Sequence, residues 1–208
     1  MRINLFAEGF LVVGLIATPC TSQAESSMQT GPAGLTATTH VDFKITIPKF
    51  LFLRVGTGTG TALGGYGTQG TVNRIRWTPA AAQLGTGSLA GTGGDLAGGV
   101  ETAVVVGNNG NVTLSSTTNG PLTDVGGDTI SYNTINTTAT HNTTATTLAA
   151  PALLDGATTT ITLPAINKVV QQDAKWAYTY ANSTIPAAGT YGGVNVRNGR
   201  VTYTASVP

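Results

Sequence analysis

From Leu35 onward the chain alternates. Leu35, Ala37, Thr39, Val41, Phe43, Ile45 and Ile47 share one parity, while Thr36, Thr38, His40, Asp42, Lys44 and Thr46 share the other. Successive side chains of an extended strand point to opposite faces, so this pattern predicts a strand with one apolar and one polar face. Its strongest part, residues 41–47, carries β-branched and aromatic side chains on the apolar parity, the types that fit a pleated surface. Pro48 ends the run, because it has no N–H to give to a ladder. Phe50-Leu51-Phe52-Leu53 follows without alternation, which predicts a strand covered on both faces.

Further short strands are predicted at 72–77, 100–106, 112–118, 128–135, 158–163, 176–180, 193–196 and 200–207. The spans 56–70 and 85–99, rich in Gly and Thr, read as long loops rather than interdomain linkers. Gly107-Asn108-Asn109-Gly110-Asn111 predicts a hairpin between the second and third of these strands, and Asn198-Gly199 a hairpin between the last two. Many short strands separated by turn signals, with no helical period, predict an all-β antiparallel sandwich in a single domain.

The start of the chain changes the compartment. Arg2 precedes an apolar stretch from Phe10 to Ile16, and Ser22-Gln23-Ala24 offers the small residues a signal peptidase reads. Residues 1–24 are therefore expected to be an export signal that is removed. That cleavage takes away Arg2, Glu8 and Cys20, leaving a mature chain without cysteine and an unchanged formal charge of +1. An exported chain without disulfides must gain stability from its core or from assembly.

Composition narrows the function classes. Charged residues make up 9% of the chain, Gly is present 28 times, and about one residue in six is Thr. Ordinary domains are about a quarter charged, so hydroxyls and amides must cover this surface. There is no Lys/Arg stripe for a nucleic-acid backbone. His40 and His141 stand apart, with no second His or Cys to make a metal site. Asp124 and Asp128 form the one close acidic pair and read as a turn. No phosphate loop, nucleophile elbow or catalytic triad order is present, so neither catalysis nor a cofactor is expected. Asn111, Asn136, Asn142 and Asn182 begin Asn-x-Ser/Thr sequons. Tyr66, Trp77, Tyr132, Trp176, Tyr178, Tyr180, Tyr191 and Tyr203 are candidates for a sugar-binding face, the tryptophans fitting a core better.

An alternating strand after a polar lead in a cysteine-free exported sandwich points to strand addition between copies. A sandwich that lacks one strand leaves a groove, which a neighbour's extended segment fills with backbone hydrogen bonds and alternate side chains. The alternative is that 41–47 is the first strand of its own domain. Val41-Asp42-Phe43-Lys44-Ile45-Thr46-Ile47-Pro48, with the apolar run after it, resembles the mature start of colonisation-factor-type fimbrial major subunits. The segments Leu122-Thr123-Asp124 through Asp128-Thr129-Ile130-Ser131-Tyr132, Ile185-Pro186-Ala187-Ala188-Gly189-Thr190-Tyr191-Gly192-Gly193 and Val201-Thr202-Tyr203-Thr204-Ala205-Ser206 are similar too.

The resemblance implies an immunoglobulin-like antiparallel sandwich (48–208) after an N-terminal extension and donor strand (25–47). It implies a pilus subunit on a bacterial surface, exported through the periplasm with a chaperone and an outer-membrane usher. Such a subunit would polymerise head to tail with its own copies and serve attachment or biofilm, with host or surface glycans as further partners. Donor-strand exchange maps onto Val41, Phe43, Ile45 and Ile47, and Val201, Tyr203, Ala205 and Val207 of the last strand border the groove. Two departures stand out: the ten residues 25–34 before the alternation, and the size of the Gly/Thr loops. A monomeric, secreted or surface carbohydrate-binding sandwich is the alternative function.

Overall fold

The computed structural model describes residues 26–208, so the expected signal segment lies outside the described residues. The chain divides between Ile47 and Pro48, and each part is taken by itself.

The described residues are all-β, with 35% in strand and 3% in helix, and every strand falls in the second part. Twelve strands follow in order among the described residues: β1 (Leu51–Val55), β2 (Ile75–Arg76), β3 (Leu89–Ala90), β4 (Thr92–Gly93), β5 (Val100–Gly107), β6 (Val112–Thr117), β7 (Leu122–Thr123), β8 (Thr129–Ile130), β9 (Ile135–Thr140), β10 (Thr158–Leu163), β11 (Val170–Tyr180) and β12 (Thr202–Ser206). All strand pairs are antiparallel. The larger sheet runs β1-β5-β11-β9, with β3 continuing along β11 beyond the end of β5. The smaller sheet runs β10-β6-β12.

One core joins the two sheets. Ala103, Val105, Val170, Ala174, Trp176 and Tyr178 come from the larger sheet, and Val112, Leu114 and Leu163 from the smaller. Trp176 and Leu114 are fully buried, as the sequence predicts for this tryptophan. A second cluster of Phe52, Ala62, Val104 and Val106 takes the other parity of β1 and β5, so those strands are apolar on both faces. Ala62 brings the first Gly/Thr loop onto that face, and Tyr66 packs its ring 4.9 Å from Phe52. The second Gly/Thr loop reaches β11 through backbone bonds at Tyr178, from Gly91 N–H to its carbonyl (3.1 Å) and from its N–H to the Gly99 carbonyl (3.1 Å). Gly99 has φ +73°, and a Cβ there would stand 2.6 Å from the Gly91 Cα, so both positions need glycine.

Several expectations are corrected. Residues 107–111 do not close a hairpin: β5 belongs to the larger sheet and β6 to the smaller, so the turn carries the chain from one sheet to the other. Residues 193–196 form no strand; Gly199 N–H bonds the Val196 carbonyl in a local turn, and β12 pairs with β6 instead. The expected strand 128–135 is broken by a 3-10 turn at Tyr132–Thr134, so β9 starts where that strand was expected to end. The expected strand 72–77 shrinks to β2. Asp124 and Asp128 do form a turn between β7 and β8, with Asp128 N–H donating to Asp124 Oδ1 at 2.8 Å.

In the first part, no residue from 26 to 47 belongs to a strand or bridge. The alternating segment is therefore not the first strand of its own sheet. Its apolar side chains are open to solvent: Val41 is 74% exposed, Phe43 90%, Ile45 86% and Ile47 75%. Burying one such side chain contributes about 1.5–3 kcal/mol, and here that contribution is unrealised at four positions.

Candidate functional site

The two ends of the paired sheets are treated differently. Beyond β9 and β10, residues 147–154 run between the sheets and bury Leu148, Pro151 and Leu153. Their carbonyls are taken up by neighbours. Trp176 Nε1–H donates to Leu148 O at 2.8 Å, Ser116 Oγ–H to Ala152 O at 2.8 Å, and the Thr118 and Thr159 hydroxyls to Leu154 O and Ala152 O. That end is closed.

The opposite end is bounded by β1 and β12, which lie against each other as the outermost strands of their sheets. β1 pairs with β5 alone and β12 with β6 alone, so among the described residues each has one edge without a strand partner. The core-facing residues there are Leu51, Leu53 and Val55 on β1, with Val201, Tyr203, Ala205 and Val207 on and beside β12. All seven pack on the core yet stay only half-buried, whereas Val112 and Leu114 of the central β6 are fully buried. Unpaired edges flanking half-covered apolar side chains make this seam a candidate site for an added strand. A cleft of about 100 Å³ runs beside β1, between Phe52, Leu53, Arg54, Val55 and the loop residues Thr57, Thr59, Gln69 and Thr71.

Tyr203 forms the floor. Its ring centre lies 5.3 Å from that of Trp176, and its hydroxyl is 2.9 Å from the Tyr178 hydroxyl. Burial pushes the Tyr203 phenol up to about 12 and raises Tyr178 as well, so both stay neutral and share one hydrogen bond. At the end of β1 the floor turns polar. Glu101 Oε2 accepts from Asn73 Nδ2 (2.7 Å) and from the Asp95 N–H (3.2 Å). Burial raises the Glu101 carboxyl above its ordinary value. Arg54 pairs with Asp95 at 3.0 Å and donates to the carbonyls of Gly56 and Gly60, pinning the first loop where it leaves β1.

Of the residues singled out from the sequence, Val201, Tyr203, Ala205 and Val207 lie half-buried on and beside β12, and Val41, Phe43, Ile45 and Ile47 are exposed. The matching residues of β1 were not singled out. Leu51, Leu53 and Val55 were hidden inside a run that reads as buried on both faces, although their shared parity was a usable signal. Of the aromatic candidates, Tyr132, Trp176, Tyr178 and Tyr180 are buried, Trp77 and Tyr191 are half-buried, and Tyr66 is exposed but stacked on Phe50 and Phe52. Among the sequons, Asn182 is buried with its amide given to the Gln83 and Gly87 carbonyls, and Asn142 Nδ2 is given to Asp173. Asn111 Oδ1 accepts the Ala165 N–H, and Asn136 is exposed on β9. Among the described residues, no three His, Cys, Asp or Glu side chains gather in a metal-binding arrangement, and the seam offers packing and backbone pairing rather than reactive groups. No family model, curated protein or solved structure matches this chain.

Proposed function

We propose that the chain is the structural subunit of an extracellular bacterial fimbria and polymerises by donor-strand complementation. Residues 41–47 of one copy enter the groove between β1 and β12 of the next. There they complete an immunoglobulin-like sandwich that is one strand short. The observation that carries this reading is a match of two incomplete parts in one chain. Val41, Phe43, Ile45 and Ile47 are exposed at alternate positions of a seven-residue segment, and Val201, Tyr203, Ala205 and Val207 are half-covered at alternate positions of another. Strand addition satisfies both edges with main-chain hydrogen bonds and seats alternate side chains in the apolar floor. Full insertion requires the loop beside β1 to part from it, which the glycines at 58, 60, 64, 65, 67 and 70 allow.

Head-to-tail donation is a heterologous contact that does not close, so it produces a fibre. In this reading residues 1–24 direct export. A periplasmic chaperone shields the groove until an outer-membrane usher exchanges it for the next subunit, and attachment to surfaces or glycans is a property of the fibre. The carbohydrate-binding monomer has less support, because four of its eight candidate aromatics are buried. The experiment is to express the chain with and without residues 25–47 and run it unheated on denaturing gels. The full chain is expected to give a ladder that collapses on boiling, and the truncated chain none. A truncated chain that still forms the ladder ends the donor-strand reading.

A further inference from the structure

The approach to β1 is held straight by a residue outside the groove. Asn108 follows the last residue of β5, and it spans Pro48 and Phe50. Its Nδ2 donates to the Pro48 carbonyl at 2.8 Å, and its Oδ1 accepts the Phe50 N–H at 2.9 Å. Its own N–H points to the Phe50 carbonyl at 3.4 Å. Since Leu51 is opposite Gly107 in the ladder, Asn108 stands where the next partner would be and bonds both sides of the approaching chain. A side-chain amide carries an acceptor and donors in one plane, so it stands in for the C=O and N–H of a strand neighbour.

A donor segment joined directly to the strand that borders its own groove has a competing option. Residues 41–47 could fold back along β1 and fill the groove of their own subunit. That requires the chain to reverse within Pro48, Lys49 and Phe50. Three-residue hairpin loops place a positive-φ residue, usually Gly, at their third position. Phe50 would pay heavily there, and a chain with 28 glycines has none from Leu35 to Val55.

We infer that Asn108 is a clamp against self-complementation. By fixing Pro48 and Phe50 in line with β1 it forbids the fold-back and commits residues 41–47 to a second copy. This rests on the donor-strand reading above.

The test compares polymer and monomer at equal subunit concentration, by unheated gels and size exclusion, for the parent, for Asn108→Ala, and for an insertion of Gly-Asn-Gly after Ile47. Combining the two changes is expected to raise the monomer share several-fold. Those monomers should be compact and bind no hydrophobic dye, because their grooves are filled. An unchanged monomer share overturns the clamp, and so do monomers that bind dye, since their grooves are empty. The buried emission of Trp176 reports whether Asn108→Ala has folded. If it has not, Asn108→Asp, which keeps the acceptor for the Phe50 N–H and loses the donor to the Pro48 carbonyl, takes its place alone and with the insertion. Deleting residues 25–47 separates the two ideas: if deletion abolishes the polymer while the clamp variants polymerise as the parent does, the clamp alone is wrong.

Discussion

Asp173 sits in the middle of β11, buried, with no ion pair among the described residues, and is held by hydrogen bonds. Its oxygens accept from Asn142 Nδ2 (2.8 Å), the N–H groups of Thr143 (3.0 Å) and Thr144 (2.8 Å), and both threonine hydroxyls. Burial alone would raise this carboxyl, but the donors of Thr143 and Thr144 outweigh it and hold it well below the usual carboxylate range. A carboxyl whose folded pKa is depressed contributes stability above its unfolded pKa of about 3.9, and the contribution fades as pH falls below that value. Asp173→Asn keeps the shape but presents donors to donors. It is expected to cost about 3 kcal/mol at neutral pH, since hydrogen bonds to a charged group are the strong ones. For a unit of this size that lowers Tm by roughly 6–12 °C. The gap between parent and variant should narrow when melting is measured at about pH 3; a gap that stays constant with pH would show that the carboxylate's charge is not what matters.

At the scale of elements, local pattern located strands better than it located their partners. β10 alternates Thr with Thr and Ile and was legible as Thr158–Leu163 from end to end. β5 and β6 were legible too, but the turn between them was not, because Gly and Asn announce a reversal without saying which sheet the chain joins next. The first half of β11 was missed for a different reason. Gln172 and Asp173 are buried polar residues, Asp173 satisfied by Asn142, Thr143 and Thr144 some thirty residues away, and no local window records that. The extension is the reverse case: its alternation was plain, yet it forms no strand within its own subunit. Ile45 tests what that alternation is for. Being 86% exposed, it supports nothing within the subunit, so Ile45→Asp should leave Tm unchanged. In a groove, an unpaired carboxylate costs several kcal/mol, and polymer yield should fall more than about tenfold, since 1.4 kcal/mol is already a factor of ten. A fall in Tm with polymer intact would return Ile45 to the subunit's own core.

Scarce charge and a single cysteine, which at first excluded other classes, constrain the whole molecule once assembly is considered. Only 9% of the residues are charged and the net charge is +1, so two copies meet without strong repulsion and without strong attraction. The proposed contact is apolar side chains on an apolar floor and backbone on backbone. Asp42 and Lys44 of the extension lie on the opposite parity from the four apolar side chains, and so remain outside the seam. Cys20 is the sole cysteine, so under the proposed removal of residues 1–24 no disulfide can link the copies. Cohesion of this kind responds to the strength of the hydrophobic effect and not to ionic screening. Raising NaCl from about 0.05 M to about 1 M shortens the screening length several-fold, yet polymer yield should change by less than about twofold. Thiol reductants should have no effect. Sulfate should favour the polymer, since it strengthens effective apolar burial. A fibre that dissolves in concentrated NaCl would instead be held by charge, and the groove between β1 and β12 would not be its seam.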